Sequence, residues 1–302
     1  MLSPASLSHP KYWSSWFVVG LLRLIGLLPF QIIYALSALL GELLYILVKS
    51  RRLITLTNLR ICFPDISEGQ RKRIARRHFR LLICSVLSIG PIWWGSKARV
   101  MRIVKVHGLE HLQAAHDAKQ NVILLAPHFV ALDAGGIALS VMQPLTSMYQ
   151  TNKNALFDKL SIEQRGRFNI ELFHRKAPLT SLIRQIRNAK PFYYLPDQNA
   201  GAKHGIFAPF FGHPASTFPA LGKMASAGKA IVIPCSSEIL PWGRGIKTSL
   251  HPPLSNYPLG KALDDTTRMN LEIEKLVEQN IDNYLWSHKR FKRQPEGEPG
   301  VY

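Results

Sequence analysis

Residues 121–126 form an uncharged apolar run, Asn121-Val-Ile-Leu-Leu-Ala126, that passes through Pro127 into His128 and, five residues further, Asp133. So short and unbroken a run reads as a strand covered on both faces, which is the situation of a strand inside a parallel sheet sandwiched between helices. Such a sheet brings its strand ends to one edge, where a side chain meets a ligand while its backbone stays fixed. A histidine at that edge, with a carboxylate holding one ring nitrogen, keeps the other nitrogen available as a general base near neutral pH. The spacing alone is equally that of a loop histidine beside an unrelated aspartate.

The pattern downstream of Arg102 supports the same architecture. Strand-like runs at 102–106, 121–126, 145–150, 169–173, 191–195 and 229–235 alternate with helical stretches at 109–119, 133–142, 155–166, 178–189 and 216–227. A long final helix is expected over 264–285, with Met269, Leu271, Ile273, Leu276, Val277 and Ile281 as its apolar positions. The order predicts an α/β fold with a central, mostly parallel or mixed sheet flanked by helices and a site at the carboxyl ends of its strands. Three regions follow: a membrane anchor over 1–50, a basic amphipathic region over 51–100, and a catalytic domain over 101–302.

The anchor rests on residues 12–48, whose charged residues are Arg23 and Glu42. Residues 24–41 carry no charge, and at 1.5 Å per residue they make about 27 Å of helix, just enough to cross the hydrocarbon core. Pro29 would kink that helix. Lys49, Arg51 and Arg52 follow, and positive charge directly after an apolar segment marks the cytoplasmic side. A cleaved signal peptide fits poorly with so long an apolar stretch; a spanning helix and a surface-lying hairpin bent at Pro29 both remain open. Ser67 and Gln70 then have capping-box spacing, ahead of an apolar stripe at Ile74, Phe79, Leu82, Ile83 and Val86. Arg71, Lys72, Arg73, Arg76, Arg77 and Arg80 crowd the start of that helix, where cations oppose the helix dipole. They read either as a solvated basic face or as a site for anionic lipid headgroups. Ile92, Trp93 and Trp94 would suit the membrane interface or a lipid groove. The chain as a whole carries +19, from 38 Lys+Arg against 19 Asp+Glu, so a negatively charged partner is expected.

Several chemistries can be set aside. Cys62, Cys84 and Cys235 are far apart in apolar surroundings and read as reduced core residues. No G-x-S-x-G nucleophile elbow occurs. The 222–229 glycine stretch has the wrong length for a phosphate loop, and Ala230 stands where Ser or Thr is needed. His107, His111 and His116 lack zinc-site spacing, so no metal is expected. What survives is a base without a protein nucleophile, beside a membrane, which suits direct attack of a substrate hydroxyl on an activated acyl group.

With these residues in view, the chain resembles the lipid A biosynthesis lauroyl/myristoyl acyltransferases of Gram-negative bacteria, within the glycerolipid acyltransferase superfamily. The resemblance runs from His9-Pro-Lys-Tyr-Trp13 and Asn58-Leu-Arg-Ile-Cys-Phe-Pro64 through Val106-His-Gly-Leu-Glu110, His128-x4-Asp133, Arg165-Gly-Arg167 and Tyr194-Leu-Pro-Asp-Gln198. It continues at Phe207-Ala-Pro-Phe-Phe-Gly212, Ala215-Ser-Thr217, Tyr284-Leu-Trp-Ser-His-Lys-Arg-Phe-Lys292 and Pro295-Glu-Gly-Glu-Pro299. Singly these motifs are weak; in this order they are specific. Asp133 is a departure, since lipid A acyltransferases often carry glutamate there and the wider superfamily aspartate.

The resemblance implies transfer of a fatty acyl group from an acyl carrier protein thioester to a hydroxyl of a Kdo-bearing lipid A precursor, at the cytoplasmic side of the inner membrane. It implies His128 as general base and Asp133 as the carboxylate that fixes its tautomer and stabilises the imidazolium. Arg165 and Arg167 would hold an acceptor phosphate or carboxylate, with Arg165 also a candidate oxyanion donor. Asp197 would orient one of those arginines, with Gln198 beside it, and 207–217 would shape the acceptor groove. No metal or organic cofactor and no nucleic acid is implied. The rival readings are a glycerophospholipid or ornithine-lipid acyltransferase with the same dyad, and a non-enzymatic basic membrane protein for which His128 has no role.

Overall fold

The computed structural model describes residues 7–188 and 190–302. Five helices open it: α1 (Trp13–Ile25), α2 (Phe30–Leu47), α3 (Lys49–Cys62), α4 (Glu68–Trp94) and α5 (Lys97–Ile103). Strands and helices then alternate: β1 (Val104–His107), α6 (Leu109–Asp117), β2 (Asn121–Leu125), α7 (Leu132–Met142), β3 (Leu145–Tyr149), α8 (Ala155–Gly166) and β4 (Ile170–His174). Helix α9 (Leu179–Arg187), β5 (Phe192–Tyr194), the short α10 (Gly201–His204), β6 (Ile206–Phe210) and β7 (His213–Thr217) follow. The chain continues with α11 (Ala220–Gly228), β8 (Ala230–Ile239), β9 (Ile246–Leu250) and α12 (Ala262–Gln279).

The main sheet has the order β1-β9-β8-β2-β5-β3-β4. Its neighbours run parallel except β8 and β9, which are antiparallel, so the expected mostly parallel α/β architecture is found. Strand β2 lies in the middle, pairing Ile123 with Phe192 of β5 and Leu124 with Ile233 of β8, and Val122–Leu125 are buried. Sequence patterning did not anticipate β9 or the separate β6–β7 hairpin, and the helix expected from 216 begins at Ala220 because Ser216 and Thr217 finish β7. The last helix ends at Gln279, where a short 3-10 turn, Ile281–Asn283, takes over.

The apolar N-terminal stretch is broken into two helices at 26–29, so 24–41 is not one continuous helix. Pro29 has no N–H to offer and stands at the N-cap of α2. Helix α2 has 18 residues and a mean hydropathy of 1.8, long and apolar enough to cross a membrane, yet 28% of it is buried inside the protein. Its buried stripe, Phe30, Ile33, Ser37, Gly41 and Tyr45, repeats every three to four residues and packs along α4. Two glycine crossings clamp the arrangement. A Cβ on Gly90 of α4 would lie 2.1 Å from the Leu22 carbonyl oxygen, and one on Gly41 would lie 2.4 Å from the Arg80 Cα.

Helix α4 starts with the expected capping box: Ser67 Oγ accepts from the Gln70 N–H at 3.2 Å and Gln70 Oε1 accepts from the Ser67 N–H at 2.8 Å. Its buried face differs from the expected stripe. Ala75, His78, Phe79, Leu81, Cys84 and Leu87 are buried, whereas Val86 is exposed. The helix is covered on two sides, by α1 and α2 outward and the sheet domain inward, so a one-faced periodicity misplaces the stripe. Nor does its basic start wait for an external anion alone. Arg71 is buried against Glu68, Arg76 and Arg80 pair with Glu42 of α2, and Arg77 pairs with Asp282, leaving Lys72 and Arg73 without an ion pair among the described residues. Leu59, Cys62, Ala75 and Phe79 share one core with Ile123, Phe192 and Trp286, so α3 and α4 are integral to the interior of the sheet domain.

Candidate active site

His128 follows β2 and Asp197 follows β5. The two strands are neighbours and parallel, so their carboxyl ends, 69 residues apart in sequence, bring the two side chains together. The His128 Nδ1 lies 2.6 Å from Asp197 Oδ1, and the His128 backbone N–H donates to Asp197 Oδ2 at 2.8 Å. The Asp197 side chain is 1% exposed against 18% for His128, so the carboxylate is sealed below while the imidazole reaches the surface. Burial raises the Asp197 carboxyl, but the His128 ring, both hydrogen bonds from His128 and the charge of Arg290 outweigh it and hold its pKa low, at about 2. An ionised Asp197 takes the Nδ1–H and leaves Nε2 as the free lone pair.

This differs from the expectation that Asp133 holds the His128 ring. Asp133 sits in the first turn of α7, and its side chain turns away: Oδ1 accepts from Arg165 Nε at 2.7 Å and Oδ2 from Trp93 Nε1 at 2.8 Å. Asp197, in turn, holds the histidine rather than an arginine. Trp93 is buried in that contact instead of lying at an interface. Arg165 lies in the last turn of α8, and Arg167 beyond the helix points elsewhere, donating to the Gly95 carbonyl and stacking over Phe168 at 4.3 Å. Gln198 continues the turn after Asp197, half-buried. Beside the Asp133–Arg165 pair a cavity of about 90 Å³ opens, lined mainly by Leu132, Gly136, Leu145, Met148, Ile170 and Tyr193.

The segment 283–290 fixes the site from the other side. The Leu285 N–H donates to the His128 carbonyl at 2.9 Å, the Val130 N–H donates to the Asn283 carbonyl at 2.8 Å, and Phe129 bridges to Tyr284. Asn58 of α3 pins this segment, its Nδ2 donating to the carbonyls of Trp286 at 2.7 Å and His288 at 2.8 Å. His288 Nε2 accepts from the Asn199 N–H at 3.2 Å, and burial lowers its pKa to about 4, so the ring is neutral near neutral pH. Arg290 is buried, donating to the Ser216 carbonyl at 2.8 Å and Thr217 Oγ1 at 2.7 Å. Burial, and then the Asp197 charge, keep the Tyr284 phenol protonated. Sequence reasoning assigned no role to Asn58, Tyr284, His288 or Arg290; the motifs containing them were the available signal.

A side chain competent to act as nucleophile is not supplied by the cysteines, all three of which are buried, with burial raising Cys235 to about 12. Comparison with known proteins gives the class, an acyltransferase. Residues 3–293 match the family described as bacterial lipid A biosynthesis acyltransferase. The chain is 31% identical over 298 residues to the lipid A biosynthesis lauroyltransferase of Escherichia coli (strain K12), spanning 98% of this chain and 97% of that one. It is 32% identical over 291 residues to a lipid A biosynthesis acyltransferase of Haemophilus influenzae, spanning 96% and 91% of the two. It is 29% identical over 300 residues to the lipid A biosynthesis myristoyltransferase of Escherichia coli, spanning 98% and 92%. The chain belongs to the bacterial lipid A biosynthesis acyltransferase family.

Proposed function

We propose that this protein moves a fatty acyl group from an acyl carrier protein thioester to a hydroxyl of a Kdo-bearing lipid A precursor, with His128 as general base. The observation that carries the reading is the 2.6 Å contact between His128 Nδ1 and the ionised, buried Asp197, which leaves Nε2 free. As the acceptor hydroxyl attacks the thioester carbonyl, its proton passes to Nε2, and Asp197 stabilises the resulting imidazolium. The tetrahedral intermediate collapses with loss of the thiolate, which takes up a proton to leave the carrier's free thiol. Asp133 keeps Arg165 aimed at the site, where its guanidinium neutralises the oxyanion or an acceptor phosphate. The cavity beside that pair receives part of the acyl chain. Gln198, next to Asp197, lies on the acceptor side of the same edge, whereas Arg167, turned to the Gly95 carbonyl, does not.

The membrane reading, with the catalytic domain on the cytoplasmic face of the inner membrane, is supported by the exposed apolar residues of α1 and α2 and by the surplus of cations. A direct assay separates the acceptor classes. The purified protein is given acyl carrier protein thioesters together with either a lipid A precursor or a lysophospholipid, and products are followed by mass spectrometry. Acylation of the lipid A precursor is expected; preferential acylation of the lysophospholipid would overturn the acceptor assignment.

A further inference from the structure

Helix α2 has the length and apolarity of a crossing helix, but both its ends are held by the same domain. At its start, the Leu28 carbonyl accepts from Arg99 Nη2 of α5 at 2.8 Å. The turn between β8 and β9 packs there too: a Cβ on Gly243 would lie 2.7 Å from the Gln31 Cα. Toward its far end, Glu42 pairs with Arg76 and Arg80 of α4 at 3.2 and 2.8 Å, and Tyr45 packs on Phe79 with ring centroids 5.5 Å apart. Helix α3 follows after a single residue and runs into the core, with Arg51 donating to the Ser287 carbonyl at 3.1 Å. A helix that crossed the roughly 30 Å hydrocarbon core would place its ends on opposite faces. Here one rigid body touches both ends, so α2 lies along the domain rather than leaving it.

The outward faces of the same helices are apolar. Phe17 and Leu24 of α1, Leu27 of the connection, and Leu39 and Leu47 of α2 are each at least 65% exposed. Apolar surface this continuous marks an interaction site rather than scatter. Trp242, 82% exposed and held at φ +61° in the turn docked on Gln31, adds an interfacial aromatic from 200 residues downstream. Exposed Arg23, Lys49, Lys72 and Arg73 lie on the flanking helices, a charge complement to anionic headgroups.

We propose that α1 and α2 lie in the plane of one leaflet of an anionic membrane, with both ends of α2 on the catalytic side and Trp242 as a second contact distant in sequence. This rests on the membrane reading above and decides the mode of attachment. Fluorophores attached to single cysteines replacing Leu27, Leu39 and Leu47 in the full chain report depth through nitroxide-labelled lipids, in phosphatidylethanolamine vesicles containing phosphatidylglycerol. The native cysteines are buried and stay unlabelled. An in-plane helix gives similar depths at all three sites. A crossing helix separates its start, beside Leu27, from Leu39 by about 14 Å and Leu39 from Leu47 by about 12 Å along the normal, and that gradient would overturn the proposal. Trp242→Glu should weaken vesicle partition about tenfold, the loss expected for one anchoring aromatic; unchanged partition would remove Trp242 from the surface. Failure of the unsubstituted protein to bind vesicles at all would instead overturn the membrane reading on which the proposal rests.

Discussion

Replacing Asp197 by asparagine tests the site where it is most exacting. Two donors of His128, the ring Nδ1–H and the backbone N–H, enter the two oxygens of one carboxylate at 2.6 and 2.8 Å. An amide has one acceptor oxygen and one NH2, so it can serve only one of those donors. With its oxygen toward the ring, the amide NH2 would face the backbone N–H, leaving a buried donor unpaired at about 1–3 kcal/mol, or roughly 5- to 150-fold against that orientation. The amide therefore turns its oxygen to the backbone and its NH2 to Nδ1. That forces the ring proton onto Nε2, which is the nitrogen the reaction needs empty. The imidazolium also loses its counter-charge. A fall in kcat of about 10²–10⁴ follows, the range for loss of a correctly oriented base. Asp133→Asn keeps an acceptor for Arg165 and leaves the His128 tautomer alone, so it should cost about tenfold, chiefly in KM for the acceptor. Mass-spectrometric turnover of the lipid A precursor, with circular dichroism to confirm folding, measures both. If Asp197→Asn stayed within about threefold of the unsubstituted kcat while Asp133→Asn lost 10²-fold, the role of holding the imidazole would return to Asp133.

His128→Ala should lower kcat by about 10²–10⁴, whereas Cys235→Ala and Ser216→Ala should leave the reaction type unchanged; an acyl group trapped on either residue in a quenched reaction would refute direct transfer. The KM for the acyl carrier protein donor should rise with salt, since steering between exposed charges is screened beyond about 10 Å at 0.1 M; titration with sodium chloride in detergent measures it, and a flat profile would count against an acidic carrier. Acid should destabilise the fold between about pH 6.5 and 4. Burial lowers His78 and His288 from 6.5 to about 4, so across that window the unfolded chain binds protons that the native chain refuses, and stability present above 6.5 is lost as pH falls. At about 1.4 kcal/mol per pH unit, each accounts for up to roughly 3 kcal/mol, and His78→Leu should flatten thermal denaturation curves measured across the window.

Much of the sheet domain was legible because its elements carry local signals. The run ending at Leu125, the helix at 155–166 and the Ser67–Gln70 cap all appear where periodicity and capping chemistry put them. His128 was legible for the same reason, as the first polar residue beyond a buried strand. Its partner was not. Asp197 meets His128 only because β5 is placed beside β2, and strand order is a long-range property without a local signature. Asp133 drew attention through proximity in sequence, but the intervening turn and the start of α7 swing its side chain toward Arg165 and Trp93. The hold of 283–290 on His128 was invisible for another reason: it is made by backbone groups, which every residue possesses.

That hold has a consequence for synthesis. Helices α1 and α2 leave the ribosome early, whereas the Leu285 N–H that steadies the His128 carbonyl and the Asn58 clamp on Trp286 and His288 form only after more than 280 residues have been made. Contacts spanning 228 and 230 residues are among the slowest to assemble, since the loop they close must first be ordered. The turn that carries His128 is therefore braced only once the 283–290 segment has emerged. A chain shortened before Leu285 would keep His128 and Asp197 without that brace, so turnover should depend on a segment that supplies no reacting group.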